Sequence, residues 1–294
     1  MSIQIAIPDI PVSYRGKVRD IYDLGDKLVI VASDRVSAFD VVFDQIIPGK
    51  GEILTSISNH WFSLIKHIPN HLIETDSSRF PEPFQKYADV LKNRSVMVKK
   101  AKRIDIECIA RGYLLGSAFK EYQKTQTVNQ VKMPPGLFLG SKLPEAIFTP
   151  STKADTGHDE NISYEQIVDK LGKNLAENLK NITLQTYHWA CDKLAEHDII
   201  LADTKFEFGF IDEEIHLIDE VLTPDSSRFF QRDIFEKNIK EGVVSQGMDK
   251  QIIRDYLESI QWNKMPPPPE LPKDIIVKTI DQYKKIREVI HCIS

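Results

Sequence analysis

The chain has only three cysteines in 294 residues, Cys108, Cys191 and Cys292. An odd, scattered set supplies neither a disulfide framework nor a metal-ligand spacing, and a reducing cytoplasm is the expected setting. No apolar run approaches the roughly 18 residues that suggest a membrane span. The stretch from Met1 to Ser13 lacks a basic segment followed by an apolar one, so no secretory signal is expected. Basic charge is also short: 38 Lys and Arg face 43 Asp and Glu, for a net charge of −5. Without a basic block, neither nucleic acid nor a membrane is an expected partner. Repeats are absent, and the one biased tract, Met265-Pro266-Pro267-Pro268-Pro269, reads as a stiff linker. What remains is 41% hydrophobic and 28% charged, enough to bury a core in one large domain or two smaller ones.

The N-terminal part reads as β-rich. Val18 to Tyr22 and Lys27 to Ala32 are strand-like around Leu24-Gly25-Asp26, where Gly25-Asp26 suits a tight hairpin. Val41 to Ile47 is a further strand-like run. Glu52 to Ile68 has helical spacing, with Ile53, Ile57, Trp61, Leu64 and Ile65 on one side. Ser95 to Lys100 and Ile104 to Ala110 are two more strands, and Ser117 to Lys124 a short helix. Residues 129 to 162 read as loop. Beyond them, Ser163 and Gln166 form a capping box, and a helix from about Leu175 to Glu196 buries Leu179, Ile182, Tyr187, Ala190 and Leu194. Strands Ile199 to Phe208 and Glu214 to Val221 precede helices at about 231 to 241, 249 to 260 and 273 to 291. The order predicts an α+β fold. Its expected division is a β-rich lobe over 1–105 and a mixed α/β lobe with a helical tail over 106–294.

The chemistry concentrates in a few segments. In Ile199 to Gly209 an apolar strand turns into strict alternation. Asp203, Lys205 and Glu207 share one face, and Phe206 and Phe208 take the other. Such a face is either a solvated strand edge or a ligand-facing row, because three charges are costly if buried dry. The next strand ends in Asp219-Glu220. A three-residue turn at Asp212-Glu213-Glu214 is expected to put Asp219 opposite Glu207, and a two-residue turn to put Glu220 there. Two carboxylates completed by water and phosphate are what Mg²⁺ prefers in nucleotide sites. Lys205, between the acids, suits a phosphate or carboxylate.

Thr223-Pro224-Asp225-Ser226-Ser227-Arg228 is a turn whose Ser pair, Arg and backbone N–H groups also make an anion pocket. Glu107 to Ser117 runs from an apolar strand through Arg111, Gly112 and Gly116 into a helix, where the glycines would permit close backbone approach. Tyr14-Arg15-Gly16-Lys17-Val18-Arg19 sets one glycine between basic residues at a strand start, a candidate phosphate cover. Thr149 to Asn161 is a polar loop with Lys153, Asp155, His158 and Asp159, a candidate lid.

In order and spacing these segments resemble the SAICAR synthetase family of de novo purine biosynthesis, and the tail with Gln261-Trp262 and the proline run resembles its longer, yeast-like branch. The resemblance rests on Gly16 to Arg19, Ser33 to Asp40, Glu107 to Arg111 with Gly116-Ser117, and Lys153-Ala154-Asp155 with His158-Asp159. It continues in Asp203 to Gly209, in Asp219-Glu220 and in Thr223 to Arg228. It implies an N-terminal antiparallel sheet lobe similar to a protein-kinase small lobe, with ATP bound between lobes. The implied reaction joins L-aspartate to carboxyaminoimidazole ribonucleotide, with ATP as co-substrate, through an acyl phosphate. Gly16, Lys17 and Arg19 would cover the ATP phosphates, and Met97, Val98 and Lys99 would form the adenine-facing connector. Glu207 and Asp219 would hold Mg²⁺. Arg111, Ser117, Asp225, Ser227 and Arg228 would bind the ribonucleotide, and Asp34, Ser37 and Asp40 would lie near the imidazole or aspartate. Lys205 and Lys153, with Asp203 beside them, would serve the transfer itself. A small-molecule kinase and a purine-nucleotide sensor are the alternatives on the same fold. Small-molecule substrates are the expected partners, and the expected assembly is a monomer or small homo-oligomer.

Overall fold

The computed structural model describes residues 7–153, 160–244 and 246–294. Two antiparallel sheets organise it. The first runs in the order Tyr14–Arg15, Arg19–Asp23, Lys27–Ala32, Ser95–Lys99, Leu72–Glu74. The hairpin between Arg19–Asp23 and Lys27–Ala32 turns at Leu24 to Asp26, where Gly25 has φ 97°. Cross-strand partners share a face, so the pairings Arg19↔Ala32, Ile21↔Ile30 and Ile30↔Val96 define one side of this sheet. The other side carries Tyr22, Val29, Val31 and Met97, buried with Phe80, Phe84 and Leu91 in a core of their own.

The second sheet is built around the thirteen-residue strand Ile199–Ile211. Ile106–Tyr113 and Lys102–Arg103 pair with one edge of it, and Ser227–Gln231 and Glu214–Ile218 with the other. A strand paired along both edges must be apolar where both its faces are covered, which explains the run Ile199 to Ala202. Phe206 and Phe208 point into the largest core, together with Trp61, Leu179, Tyr187 and Ile286. That core also takes in Val36, Phe43 and Ile57 from the N-terminal third, so the first helix, Lys50–Leu64, packs against both halves of the chain.

The α+β expectation holds, and three local readings change. Residues 129 to 162 are more than loop, because Lys142–Phe148 pairs with Ile106–Tyr113 as an edge strand. Pro144 and the nearby glycines mask its pattern; an edge strand tolerates Pro, and the register shifts between Lys142 and Ile147. The turn after Ile211 has two residues, Asp212 and Glu213, both at positive φ. This hairpin puts Ile218 opposite Glu207. Neither Asp219 nor Glu220 is therefore the cross-strand partner, and shortening the turn moves the partner to a lower number, not to Glu220. Ile182, expected in the core, is only partly buried at its margin. The capping box at Ser163 and Gln166 is present in full.

Asp34 has a structural assignment. Its two carboxylate oxygens accept the N–H groups of Gly49 and Gly51 at 3.0 and 2.9 Å, at the start of the Lys50–Leu64 helix. Gly51 has no room for a side chain there, since a Cβ would lie 2.5 Å from the Ala32 carbonyl oxygen. Asp34→Ala removes this cap and is expected to cost about 1–2 kcal/mol of stability, measurable by urea unfolding.

Candidate active site

Along the central strand Asp203, Lys205 and Glu207 recur every second residue, so they stand in a row on one face about 6.8 Å apart. Each is paired. Asp203 is clamped by Arg228, through Nε at 2.9 Å and Nη2 at 2.8 Å, and by Arg111 Nη1 at 3.0 Å. Arg111 is itself buried, and its Nε donates to Thr149 Oγ1 at 2.9 Å. Lys205 Nζ lies 2.7 Å from Glu107 and 2.8 Å from Glu207, and Lys153 also contacts Glu207. At the far end Arg19 contacts Asp219 and lies 2.7 Å from Glu220. Asp219 has φ 65°. It therefore leaves the strand alternation and is carried to Arg19 by the turn, not by the ladder.

Burial sharpens these pairings. Loss of solvent opposes ionisation of Glu207 and Asp219, yet the lysine charges, and for Asp219 that of Arg19, hold both carboxyls below the usual range. Each carboxylate is close enough to Asp219 or to the lysines for its charge to be felt by the others, as the opposing effect of Asp219 on Glu207 shows. Burial alone would lower Lys205, but Glu207, Glu107 and Asp219 hold its ammonium well above the ordinary range. The row is fully ionised near neutral pH.

Two recesses lie beside these charged groups, one against the row and one at Asp219. One, of about 260 Å³, is lined by Arg111, Lys205, Arg228, Lys250 and Arg254, facing Glu107, Asp203, Asp225 and Asp249. Ser227 lines it too, with its hydroxyl 2.7 Å from Thr204 Oγ1. Beside it begins the helix Gly116–Thr125. Gly116 has φ 55°, and a Cβ there would lie 2.7 Å from Arg228 Nη1, so the guanidinium rests on the helix start. The preceding residue is Leu115, which provides no side-chain cap, and the first N–H groups, near exposed Ser117, stay available to an anion. The second recess is a narrow cleft between the Arg19-bearing sheet face and the first helix. Its walls are Ile30, Ala32, Val96, Leu54 and Phe62, with Arg19, Asp219 and Glu220 at the charged end.

The remaining site candidates sit differently. Lys17 is exposed and pairs with Asp40 at 2.5 Å. The Gly16 turn closes by Gly16 N–H donating to the Arg19 carbonyl at 2.8 Å, and Arg35 donates to the carbonyls of Gly16 and Lys17. Ser37 lies in the Arg35–Ala38 strand, and Asp40 in the two-residue turn that follows it. Neither they nor Asp34 line either recess. Ser95–Lys99 is paired along both edges, so the backbone of Met97 and Val98 is committed to the sheet and the Met97 side chain points into the separate core. Lys99 is exposed, and its N–H donates to the His71 carbonyl. Gly112 serves packing, since a Cβ would lie 2.2 Å from the Tyr187 hydroxyl. Residues 154–159 of the candidate lid, Asp155 and His158 among them, lie outside the described residues; Lys153 is described and joins the charged row.

Sequence reading missed Lys250, Arg254 and Asp249 in the larger recess, and Ile30, Ala32 and Val96 in the cleft. The first three precede or open an ordinary amphipathic helix, Gln251–Ser259, and carry no local signal. The apolar trio was legible in principle, by following which strand positions share a face with Arg19. Among the described residues no group of three or more His, Cys, Asp or Glu is set to hold a metal.

A basic recess, an apolar cleft and a row of paired lysines and carboxylates lie on neighbouring elements of this fold. The SAICAR synthetase family model matches residues 12–269. A phosphoribosylaminoimidazole-succinocarboxamide synthase of Leptospira interrogans is 50% identical over 278 residues, covering 95% of this chain and 96% of its own. The synthase of that name from Thermodesulfovibrio yellowstonii is 51% identical over 277 residues, 94% of each chain. Among solved structures, SAICAR synthase of Saccharomyces cerevisiae complexed with SAICAR superposes with TM-score 0.85 at 39% identity, over 99% of this chain and 98% of that one. A SAICAR synthetase in complex with ADP matches with TM-score 0.69 at 25% identity, over 94% and 96%. The chain belongs to the SAICAR synthetase family.

Asp249 makes a separate prediction. It is buried, its Oδ1 accepts the Gln251 N–H at 2.6 Å, and its Oδ2 has no partner. Burial pushes its carboxyl up to about 7, despite Arg228 and Arg254. A carboxyl raised on folding favours the native state only while it keeps its proton. Its contribution is therefore present at acid pH and lost as the pH rises from about 4 to about 7. Asp249→Asn keeps the acceptor without the charge. Urea unfolding at pH 5 and pH 8 is expected to show a smaller loss of stability in the variant than in the parent chain.

Proposed function

We infer that this chain is the ATP-dependent ligase of purine biosynthesis that joins L-aspartate to carboxyaminoimidazole ribonucleotide, giving SAICAR, ADP and phosphate. The family and its close relatives support the activity. The observation that carries the residue roles is the row Asp203, Lys205 and Glu207, whose first two members line the basic recess, with Asp219 lining the apolar cleft.

A carboxylate and an amine do not form an amide unaided at neutral pH, because oxide is a poor leaving group. Phosphorylation of the imidazole carboxylate by ATP turns that oxygen into a phosphate, which leaves when the aspartate amine attacks. Such a reaction gathers ATP, a nucleotide phosphate and several carboxylates in one site, and catalysis requires cations and oriented donors to bring them together. The larger recess takes the ribonucleotide. Arg111, Arg228 and the free helix start with Ser117 suit its anionic groups, and Arg254 and Lys250 add charge. Ser227 and Asp225 offer hydroxyl and carboxylate partners to its polar groups. The cleft takes the adenosine part of ATP, with Ile30, Ala32 and Val96 as its apolar wall and Arg19 reaching the phosphates; Gly16 and Lys17 cover their outer side. Lys205 and Lys153 lie where the transferred group passes from cleft to recess and neutralise its charge.

Glu207 and Asp219 would hold Mg²⁺: two ionised carboxylates, the first buried and the second half-buried, offer hard oxygen donors to a cation that completes its shell with phosphates and water. When bound, the metal supplies charge neutralisation at the phosphates. Lys153 and Lys205 pair with Glu207, and Arg19 with Asp219. The N-terminal sheet and the lobe beyond residue 105 are proposed as the two sides of this site, and the cytoplasm as its compartment.

Phosphate release tests the activity. With ATP and Mg²⁺, release is expected only when the ribonucleotide and L-aspartate are both present; release with the ribonucleotide alone points to a kinase. Glu207→Gln is expected to lower kcat by about 100-fold or more while the fold persists, checked by kinetics alongside circular dichroism. Arg111→Ala is expected to raise KM for the ribonucleotide about tenfold and to leave KM for ATP nearly unchanged. An equal rise in both constants would place Arg111 wrongly.

A further inference from the structure

The last helix, Lys273–His291, reaches the larger recess through one buried hydroxyl. Tyr283 is fully buried, and its hydroxyl donates to Asp225 Oδ1 at 2.6 Å. The other oxygen of the same carboxylate, Oδ2, lies 2.9 Å from Lys50 Nζ and 3.0 Å from Lys250 Nζ. Thus one carboxylate collects the start of the first helix, the residue before Gln251–Ser259, and the C-terminal helix.

The division of donors matters. A buried tyrosine hydroxyl needs a partner, and a short O–H···O⁻ bond to a carboxylate is among the stronger ones. Among the described residues Tyr283 is the only hydrogen-bond donor to Oδ1. The close contacts of both lysines fall on Oδ2, as ion pairs outside good hydrogen-bond geometry. Without the hydroxyl, the carboxylate is free to turn and take one lysine on each oxygen. That turn would shift the oxygen that holds Lys250, which lines the recess, and so move its ammonium relative to a ligand. Two lysines sharing one carboxylate oxygen leave surplus positive charge in the wall, which suits an anionic ligand.

We infer that Tyr283 is a positioning residue of the ribonucleotide recess, its hydroxyl fixing the Asp225 carboxylate so that Asp225 and Lys250 remain presented to the ligand. This rests on the reading that the recess takes the ribonucleotide. It gives the C-terminal helix a role beyond packing.

The experiment compares Tyr283→Phe and Asp225→Asn with the parent chain. It measures KM for carboxyaminoimidazole ribonucleotide and for ATP, kcat, and the rise in Tm on saturation with the ribonucleotide. Tyr283→Phe removes one oxygen and keeps the packed ring. The expected result is a five- to tenfold rise in KM for the ribonucleotide, of the order set by one charge-assisted hydrogen bond. KM for ATP stays within about twofold, and the ribonucleotide raises Tm less than in the parent. Unchanged constants, or an equal rise in both KM values with a lower Tm, would overturn the inference, because a packing role does not distinguish the two substrates. If Asp225→Asn leaves KM for the ribonucleotide unchanged, the reading of the recess fails and the positioning role falls with it. If Asp225→Asn raises that KM while Tyr283→Phe does not, the recess stands and only the role of Tyr283 is refuted.

Discussion

The structure depends on the need to pair every charge buried along one strand. Asp203, Lys205 and Glu207 are carried on the face of Ile199–Ile211 opposite Phe206 and Phe208, which are fully buried. An ionised group moved from water into the protein costs several kcal/mol unless it is paired and hydrogen-bonded. The surrounding elements therefore deliver partners: Arg111 and Glu107 from one neighbouring strand, Arg228 from the other, and Lys153 from the loop beyond Ser151–Thr152. Arg19 arrives from the first sheet to meet Asp219. The Arg19–Asp219 pair is thus one ionic link between two sheets with largely separate cores.

The same pairing prepares the site for its chemistry. Each carboxylate of the row is matched by lysine or arginine, so these charges are held in place by their partners. Preorganised charges cost little to reorganise during reaction, which is the main source of electrostatic catalysis. Asp225 shows the principle at one remove. Burial opposes its ionisation, yet Lys250, Lys50 and the Tyr283 hydroxyl hold its carboxyl far below the usual range. Asp34 shows the contrary outcome: its carboxylate is consumed by the N–H groups of Gly49 and Gly51 and serves the helix.

Much of the fold could be read locally. Alternation marked the central strand, helical spacing marked Lys50–Leu64 and Lys173–Ala195, and Ser163 with Gln166 marked a helix start, because these patterns arise between residues a few positions apart. The site was partly legible for the same reason: Asp203, Lys205, Glu207, Arg111 and Arg228 stand in recognisable order around strands and turns. Lys250 and Arg254 were not, because nothing in their own helix distinguishes a cavity-lining cation from a solvated one. Met97 and Val98 show the limit from the other side. Their run reads as a strand, but only the pairing on both edges reveals that its backbone is already used.

The sequence alone determined the α+β class, the charged strand face and the motif order that identifies the family, since these follow from residue type and spacing. Tertiary structure decided which charges meet. A two-residue turn set Ile218 against Glu207, and a positive φ at Asp219 brought its carboxylate to Arg19. Long-range packing brought Tyr283 to Asp225 across 58 positions and Arg19 to Asp219 across 200. Local propensity carries no information about such distances. They are set by how the two sheets and the helices bury their apolar faces against one another.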